Sequence, residues 1–137
     1  LGIPDVGDVT VREDSLLLDA LKHHRIEVEQ RIRAALSKTT HERLQAAMLH
    51  LIDGGGKRLR AILPRLVAEA AGQADDGHYD LGAAIEIIHN FTLVHDDIMD
   101  NDEMRRGRPS VHIAFDHPTA INAGDAMLAV SFEVLSE

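Results

Sequence analysis

The pentad Asp96-Asp97-Ile98-Met99-Asp100 sets three carboxylates within five residues, at the end of a strongly apolar run. Residues four apart share a helix face, so Asp96 and Asp100 point the same way. Like charges in that register repel by a few tenths of a kcal/mol, and anions at a C-terminal helix end oppose the helix dipole. Local helix physics disfavours the pair twice, and a bound divalent cation reverses both penalties. Mg²⁺ is the natural candidate, because it takes oxygen ligands and is often held by one or two carboxylates plus substrate phosphates and water. The plain alternative is a solvated acidic helix terminus. Against it stands the preceding run Ile85, Ile87, Ile88, Phe91, Leu93 and Val94, which is apolar on most sides and predicts a buried helix. His89 lies seven residues before Asp96, at nearly the same angular position two turns earlier, with Thr92 between them. One stripe thus carries a candidate phosphate donor, a small polar residue and two candidate metal ligands, although a lone helical His is more often a packed or surface residue.

Two basic loops flank this helix. Gly54-Gly55-Gly56-Lys57-Arg58-Leu59-Arg60 combines glycines, which let backbone approach a ligand closely, with a helix start whose free N–H groups suit an anion. Lys adds a point charge and Arg a forked pair of donors for phosphate oxygens. The spacing is not that of a Walker A loop. A flexible turn with solvated charges is the competing reading. Arg105-Arg106-Gly107-Arg108-Pro109 follows the aspartates closely enough to reach the same ligand, and taken alone reads as a solvated loop.

Composition narrows the classes. The 137 residues amount to one domain or part of one, and 45% hydrophobic content is enough for a core. The net charge of −9 argues against a general nucleic-acid surface. Six of the fourteen basic residues sit in the two loops, and no Lys or Arg lies between Arg65 and Arg105. Two cationic patches around a carboxylate cluster point to small anions bound together with metal ions. With no cysteine, disulfides, thiol catalysis and Cys-ligated zinc are excluded. No apolar run predicts a transmembrane helix and no secretory leader is visible, and a cytoplasmic location is expected from the lack of cysteine. The first residue is Leu1, so the natural start is expected to lie upstream.

The elements that must position these groups read as helices throughout. Apolar spacing predicts a helix from Ser15 to Leu36. Thr39 with Glu42 forms a capping-box pattern for a second, running to about Ile52 and stopped by the three glycines. A third spans Arg60 to Ala71, with Pro64 near its first turn and Gly72 at its end. After a polar loop from Gln73 to Gly77, a long helix covers about Asp80 to Asp100. Glu103 to Ser110 reads as loop, and a last helix runs from near Thr119 to the end with no stop signal, so the chain is expected to be incomplete. No alternating run is long enough for a strand, and there is no repeat.

Together and in this order, GGGKRLR at 54–60, EIIHNFTLVHDDIMD at 86–100, MRRGRPSVH at 104–112 and INAGDAMLA at 121–129 resemble the trans-prenyl diphosphate synthases (the polyprenyl synthetases). The resemblance covers the chain from about Leu44 onward. It implies an all-α, isoprenoid synthase-type helical bundle around a central cavity, of which residues 1–137 form the amino-terminal part of a single domain. It implies a homodimer that uses Mg²⁺ to join an allylic diphosphate to isopentenyl diphosphate. By matching position, Asp96 and Asp100 resemble the Mg²⁺ ligands, and Asp97 belongs to the same motif as a ligand or as support for the others. Lys57, Arg60, His89 and Arg106 resemble isopentenyl diphosphate contacts, and Arg105 an allylic diphosphate contact. Phe91 and Thr92, five and four positions before Asp96, resemble the chain-length residues of the cavity wall. A bulky Phe91 with a small Thr92 implies a medium product, geranylgeranyl diphosphate first and farnesyl diphosphate next.

Two features depart from the family pattern. Ala61 stands where many members carry Pro, and the family's second aspartate-rich motif, which supplies further metal ligands, is absent from these residues. The chain alone is therefore expected to be inactive. A non-catalytic prenyl diphosphate-binding subunit is one competing reading. An HD-type metal phosphohydrolase is another, built on His95-Asp96 with His41, His50 or His78 as further ligands, but it leaves both basic loops unexplained.

Overall fold

A computed structural model describes the backbone of residues 6–136 and the side chains of residues 15–136. The order is α1 (Val6–Leu36), α2 (Glu42–Asp53), α3 (Leu59–Ala70), α4 (Gly77–Met99), β1 (Met104–Arg105), β2 (Arg108–Pro109), α5 (Val111–Ala114) and α6 (His117–Ser136). Helix α4 is the centre, packed against α6, α3 and α1. Its core contribution recurs at helical spacing through Tyr79, Ala83, Ala84, Ile87 and Val94. Small residues on α6 (Ala120, Ala123 and Gly124) bring the two helices close, and Met127 and Val134 fill in below. Helices α1 and α2 close the core with Val28, Ile32, Leu36, Met48, Leu51 and Ile52.

Several expectations need correction. Helix α1 begins at Val6 rather than Ser15, since extending a nucleated helix costs little even through polar residues. The Thr39–Glu42 capping box does not form, because Glu42 is already the first helical residue. Instead His41 caps α2, its Nδ1 accepting from the Leu44 N–H at 3.2 Å. Pro64 sits in the second turn of α3, not the first. The Glu103–Ser110 loop contains a two-stranded antiparallel hairpin pairing Met104 with Pro109 and Arg105 with Arg108. Both residues at its tip, Arg106 (φ 53°) and Gly107 (φ 74°), are left-handed, as a two-residue hairpin turn requires. Strands this short leave no alternation to read. A short helix, α5, precedes α6, and α6 starts at His117. Asp116 caps it by accepting from the Thr119 N–H at 2.7 Å, and the Thr119 side chain, followed by this backbone bond and Arg43, pulls the Asp116 carboxyl down to about 2. Finally, α4 is not buried all round. Leu81, Thr92, Asp96, Met99 and Asp100 are exposed along one face, with Ile85, Ile88 and His89 half-buried beside them.

One glycine sets the distance between α3 and α4. A Cβ at Gly82 would stand 1.8 Å from the Ala61 carbonyl oxygen, a backbone atom that cannot swing aside. Gly82→Ala must push the helices apart, and should cost about 2–3 kcal/mol by overpacking. Urea denaturation measures this, and a variant as stable as the parent would show that α3 tolerates the shift.

Candidate active site

Helix α4 ends in a turn that folds the chain back on itself. Asn101 is left-handed (φ 56°), the Asp102 N–H bonds the Asp97 carbonyl at 2.9 Å, and the Asn101 N–H bonds the Ile98 carbonyl at 3.3 Å. The reversal carries Arg105 back to Asp97. Its Nε donates to Oδ2 at 2.8 Å and its Nη2 to Oδ1 at 2.7 Å, a two-pronged pair on a carboxylate only 1% exposed. This bonding to Asp97 holds Arg105 above its usual pKa, against the opposing effect of its burial.

Asp96 and Asp100 differ from Asp97 in every respect. Both are exposed, and neither carboxylate has a hydrogen bond or ion pair within the described residues. The Asp100 N–H donates to the Asp96 carbonyl at 2.8 Å, so the second sits one turn beyond the first. Two free carboxylates on one face are hard oxygen donors that fit Mg²⁺. Among the described residues no group of three or more His, Cys, Asp or Glu is placed to hold a metal. The donor set therefore suits an ion completed by phosphate oxygens and water. Asp97 differs in having both oxygens engaged by Arg105.

The first basic loop divides in the same way. Gly55 (φ 85°), Gly56 (φ 136°) and Arg58 (φ 58°) all have positive φ, in a turn that leaves Lys57 exposed and Arg58 buried. Lys57 and Arg60 are exposed and unpartnered among the described residues. Arg58 is buried, bonded to Glu29 at 2.5 Å and Glu86 at 3.2 Å. The hairpin tip docks here, with Arg106 Nη1 donating to the Gly55 carbonyl. Gly56, Lys57, Arg58, Leu59, Arg60, Glu86 and Arg106 line a cavity of about 200 Å³. The crowding of cations is felt electrostatically. Burial and the nearby Arg58 hold Arg106 below its usual range, and burial and Arg60 push the His89 imidazole down, with Arg106 and Arg105 adding to the effect. A diphosphate would relieve the repulsion and draw the His89 pKa back up.

Lys57, Arg60 and Arg106 are thus brought together, with His89 in their field. Asp96 and Asp100 stand apart from this cavity, farther along the open face of α4. Phe91 and Thr92 do not share one wall. Phe91 turns toward α6, its ring 4.7 Å from that of His95 and close to Gly124. Thr92 lies on the open face, its hydroxyl bonded to the His89 carbonyl at 2.6 Å. The phosphohydrolase reading fails on geometry. His95 faces Asp125 on α6 at 3.7 Å, His41 caps α2, His50 bonds the Pro109 carbonyl at 2.7 Å, and His78 pairs with Asp75. Sequence reasoning passed over Glu29, Glu86 and Asn90. The signal for Glu86 was present, as a lone charge between Ile85 and Ile87 in an apolar helix.

The chain is similar to known proteins along most of its length. The family model described as Polyprenyl synthetase matches residues 41–137. A short chain isoprenyl diphosphate synthase of Methanothermobacter thermautotrophicus is 44% identical over 119 residues, 87% of this chain and 37% of that protein. A geranylgeranyl pyrophosphate synthase of Geoglobus acetivorans is 50% identical over 109 residues, 80% of this chain and 34% of that protein. Among solved structures, the geranylgeranyl pyrophosphate synthetase of Pyrococcus horikoshii superposes with a TM-score of 0.83 at 35% identity, covering 91% of this chain and 38% of that one. The chain therefore spans little more than a third of the length of such relatives. With its helical fold, its glycine-rich cationic loop and its free aspartate pair, the chain belongs to the polyprenyl synthetase family.

Proposed function

We propose that this chain is the amino-terminal part of one isoprenoid synthase domain that condenses an allylic diphosphate with isopentenyl diphosphate. The observation that carries the reading is the division of labour along α4: free carboxylates at its end, and a cationic cavity beside its middle. Lys57, Arg60, Arg106 and His89 bind the diphosphate of isopentenyl diphosphate. Asp96 and Asp100 hold Mg²⁺, which when bound neutralises charge growing on the leaving diphosphate. Asp97 fixes Arg105, which faces the allylic diphosphate. The allylic C–O bond breaks with its electron pair leaving on diphosphate. The isopentenyl double bond supplies the pair for the new C–C bond, and a proton is lost to restore a double bond. The apolar flank of α4, Ile85 and Ile88, helps keep water from the cation. The reading includes a homodimer acting in the cytoplasm. Exposed Ile121, Phe132 and Leu135 on α6 are consistent with a covered face in such an assembly.

The experiment is incorporation of labelled isopentenyl diphosphate by the full-length protein, with and without a chelator. Metal-dependent formation of a prenyl diphosphate is expected, and its absence with every allylic diphosphate from five to twenty carbons would sink the reading. The 137 residues alone should show no incorporation, because they lack the second aspartate-rich motif. Measurable turnover by them would show that one carboxylate pair suffices.

For product length we propose geranylgeranyl diphosphate, with farnesyl diphosphate second. Phe91 is bulky, half-buried between α4 and α6, and one turn before Asp96. In the full-length enzyme Phe91→Ala should shift products toward longer chains, by at least one five-carbon unit. Chromatography of the dephosphorylated products reads this, and an unchanged distribution in an active variant would assign length control elsewhere.

A further inference from the structure

We infer that Arg58, despite lying in the basic loop, never touches a diphosphate and instead acts as the positioning residue that shapes the loop for Lys57 and Arg60. This rests on the prenyltransferase reading above. Arg58 is 3% exposed, although both of its charged loop neighbours face solvent. Its guanidinium makes four bonds: Nε to Glu29 on α1 at 2.5 Å, Nη1 to Glu86 on α4 at 3.2 Å and to the Gly55 carbonyl at 3.3 Å, and Nη2 to the Ile52 carbonyl at 2.9 Å. The fork thus ties the end of α2, the glycine turn, α1 and α4 together. Its own backbone is left-handed, which glycine would adopt more readily. An arginine at such a position is explained by its side-chain bonds, not by its backbone. The Gly55 carbonyl also accepts from Arg106, so the peptide that Arg58 holds is the seat of the second basic loop. The Glu86 carboxylate also accepts from the same helix, the Asn90 side-chain amide donating to its Oε1 at 3.4 Å as well as to the Glu86 backbone carbonyl at 2.7 Å. Arg58 thereby sets where Lys57, Arg60 and Arg106 stand relative to α4 and His89.

Positioning and direct binding give opposite signs on substitution. If Arg58 served as a charge for the diphosphate, Arg58→Lys would preserve binding, and neutralising the adjacent carboxylate in Glu86→Gln would tighten it. If Arg58 is a planar clamp, Lys cannot replace the fork and loss of the Glu86 charge loosens it. In the full-length enzyme we expect KM for isopentenyl diphosphate to rise about tenfold in Arg58→Lys and about threefold in Glu86→Gln, with KM for the allylic diphosphate changed by less than about twofold. Amide hydrogen exchange in residues 53–57 should quicken in both. Arg58→Gly, which suits the backbone, should do no better than Lys. A wild-type KM in Arg58→Lys, an unchanged or lower KM in Glu86→Gln, or an undisturbed loop in Arg58→Gly would each overturn the assignment. Should Arg58→Lys not fold, Glu86→Gln, which keeps shape and acceptor, decides. If the unmodified enzyme makes no prenyl diphosphate, the functional reading falls, and hydrogen exchange still tests whether Arg58 orders the loop.

Discussion

Asp96→Ala and Asp100→Ala in the full-length enzyme should each lower kcat by about 10³-fold or more while leaving the protein at least as stable as before. The activity loss is expected because, in the proposed site, each is one of two free oxygen donors at the end of α4, and no group of three or more His, Cys, Asp or Glu among the described residues is placed to hold the ion instead. The stability result is the sharper part. Both carboxylates are exposed, unpartnered, four residues apart, and at the negative end of a helix. Removing either relieves a like-charge contact worth a few tenths of a kcal/mol and an unfavourable dipole term of similar size. A small upward shift in Tm is therefore expected without metal. Addition of Mg²⁺ with inorganic diphosphate should raise Tm in the parent but not in the variants. Near-normal turnover in either variant would remove these residues from the metal site, and a large fall in Tm would mean that they serve the fold.

Asp97→Ala should behave in the opposite way, although Asp97 is the immediate neighbour of Asp96. Its carboxylate is buried and takes both prongs of Arg105. Truncation leaves a guanidinium without its counter-ion and detaches the hairpin from the end of α4. Breaking a buried pair costs about 3–5 kcal/mol, and because a quarter of the Arg105 side chain reaches solvent, about 2–3 kcal/mol is expected here. Turnover should fall at least about a hundredfold, since Arg105 and Arg106 both lose their placement. Asp97→Asn keeps the shape but loses the charge, and should recover part of the stability and little of the activity. Chemical denaturation and steady-state kinetics on the two variants make the comparison. If Asp97→Ala proved as stable as Asp96→Ala, the Arg105 pair would not be a structural element and Asp97 would return to the list of possible ligands.

Within one pentad, then, equal residue types find unequal surroundings, and the reason is angular. Asp97 lies about 100° around the helix from Asp96, which turns it into the body of the protein. Helical period alone could place Asp96 with Asp100, because that relation is local. It could not say which side of α4 faces the protein, because the run before the pentad is apolar on most sides. The exposed stripe from Leu81 to Asp100 emerges only once α6, α3 and α1 have taken the other faces.

What the sequence determined by itself was whatever depends on near neighbours. The helices end where glycines permit left-handed backbone, at Gly55 after α2 and Gly72 after α3, and the spacing of Asp96 and Asp100 sets both on one exposed face. The hairpin at Arg106-Gly107 escaped notice because two-residue strands carry no periodicity, and the cap of α2 was misplaced by two residues because Thr39 and His41 both offer an acceptor. The tertiary structure alone decided which of six clustered cations are free to bind anything. Arg58 finds Glu29 and Glu86 across 29 and 28 residues, and Arg108 finds the His50 carbonyl across 58. Arg105 is taken by Asp97, and Arg106 is partly engaged by the Gly55 carbonyl. Lys57 and Arg60 remain open. A charge in a sequence is the same symbol whether it is solvated, buried or waiting for a ligand. The difference lies in partners brought from distant segments by the packing of α1, α2 and α4 around one loop.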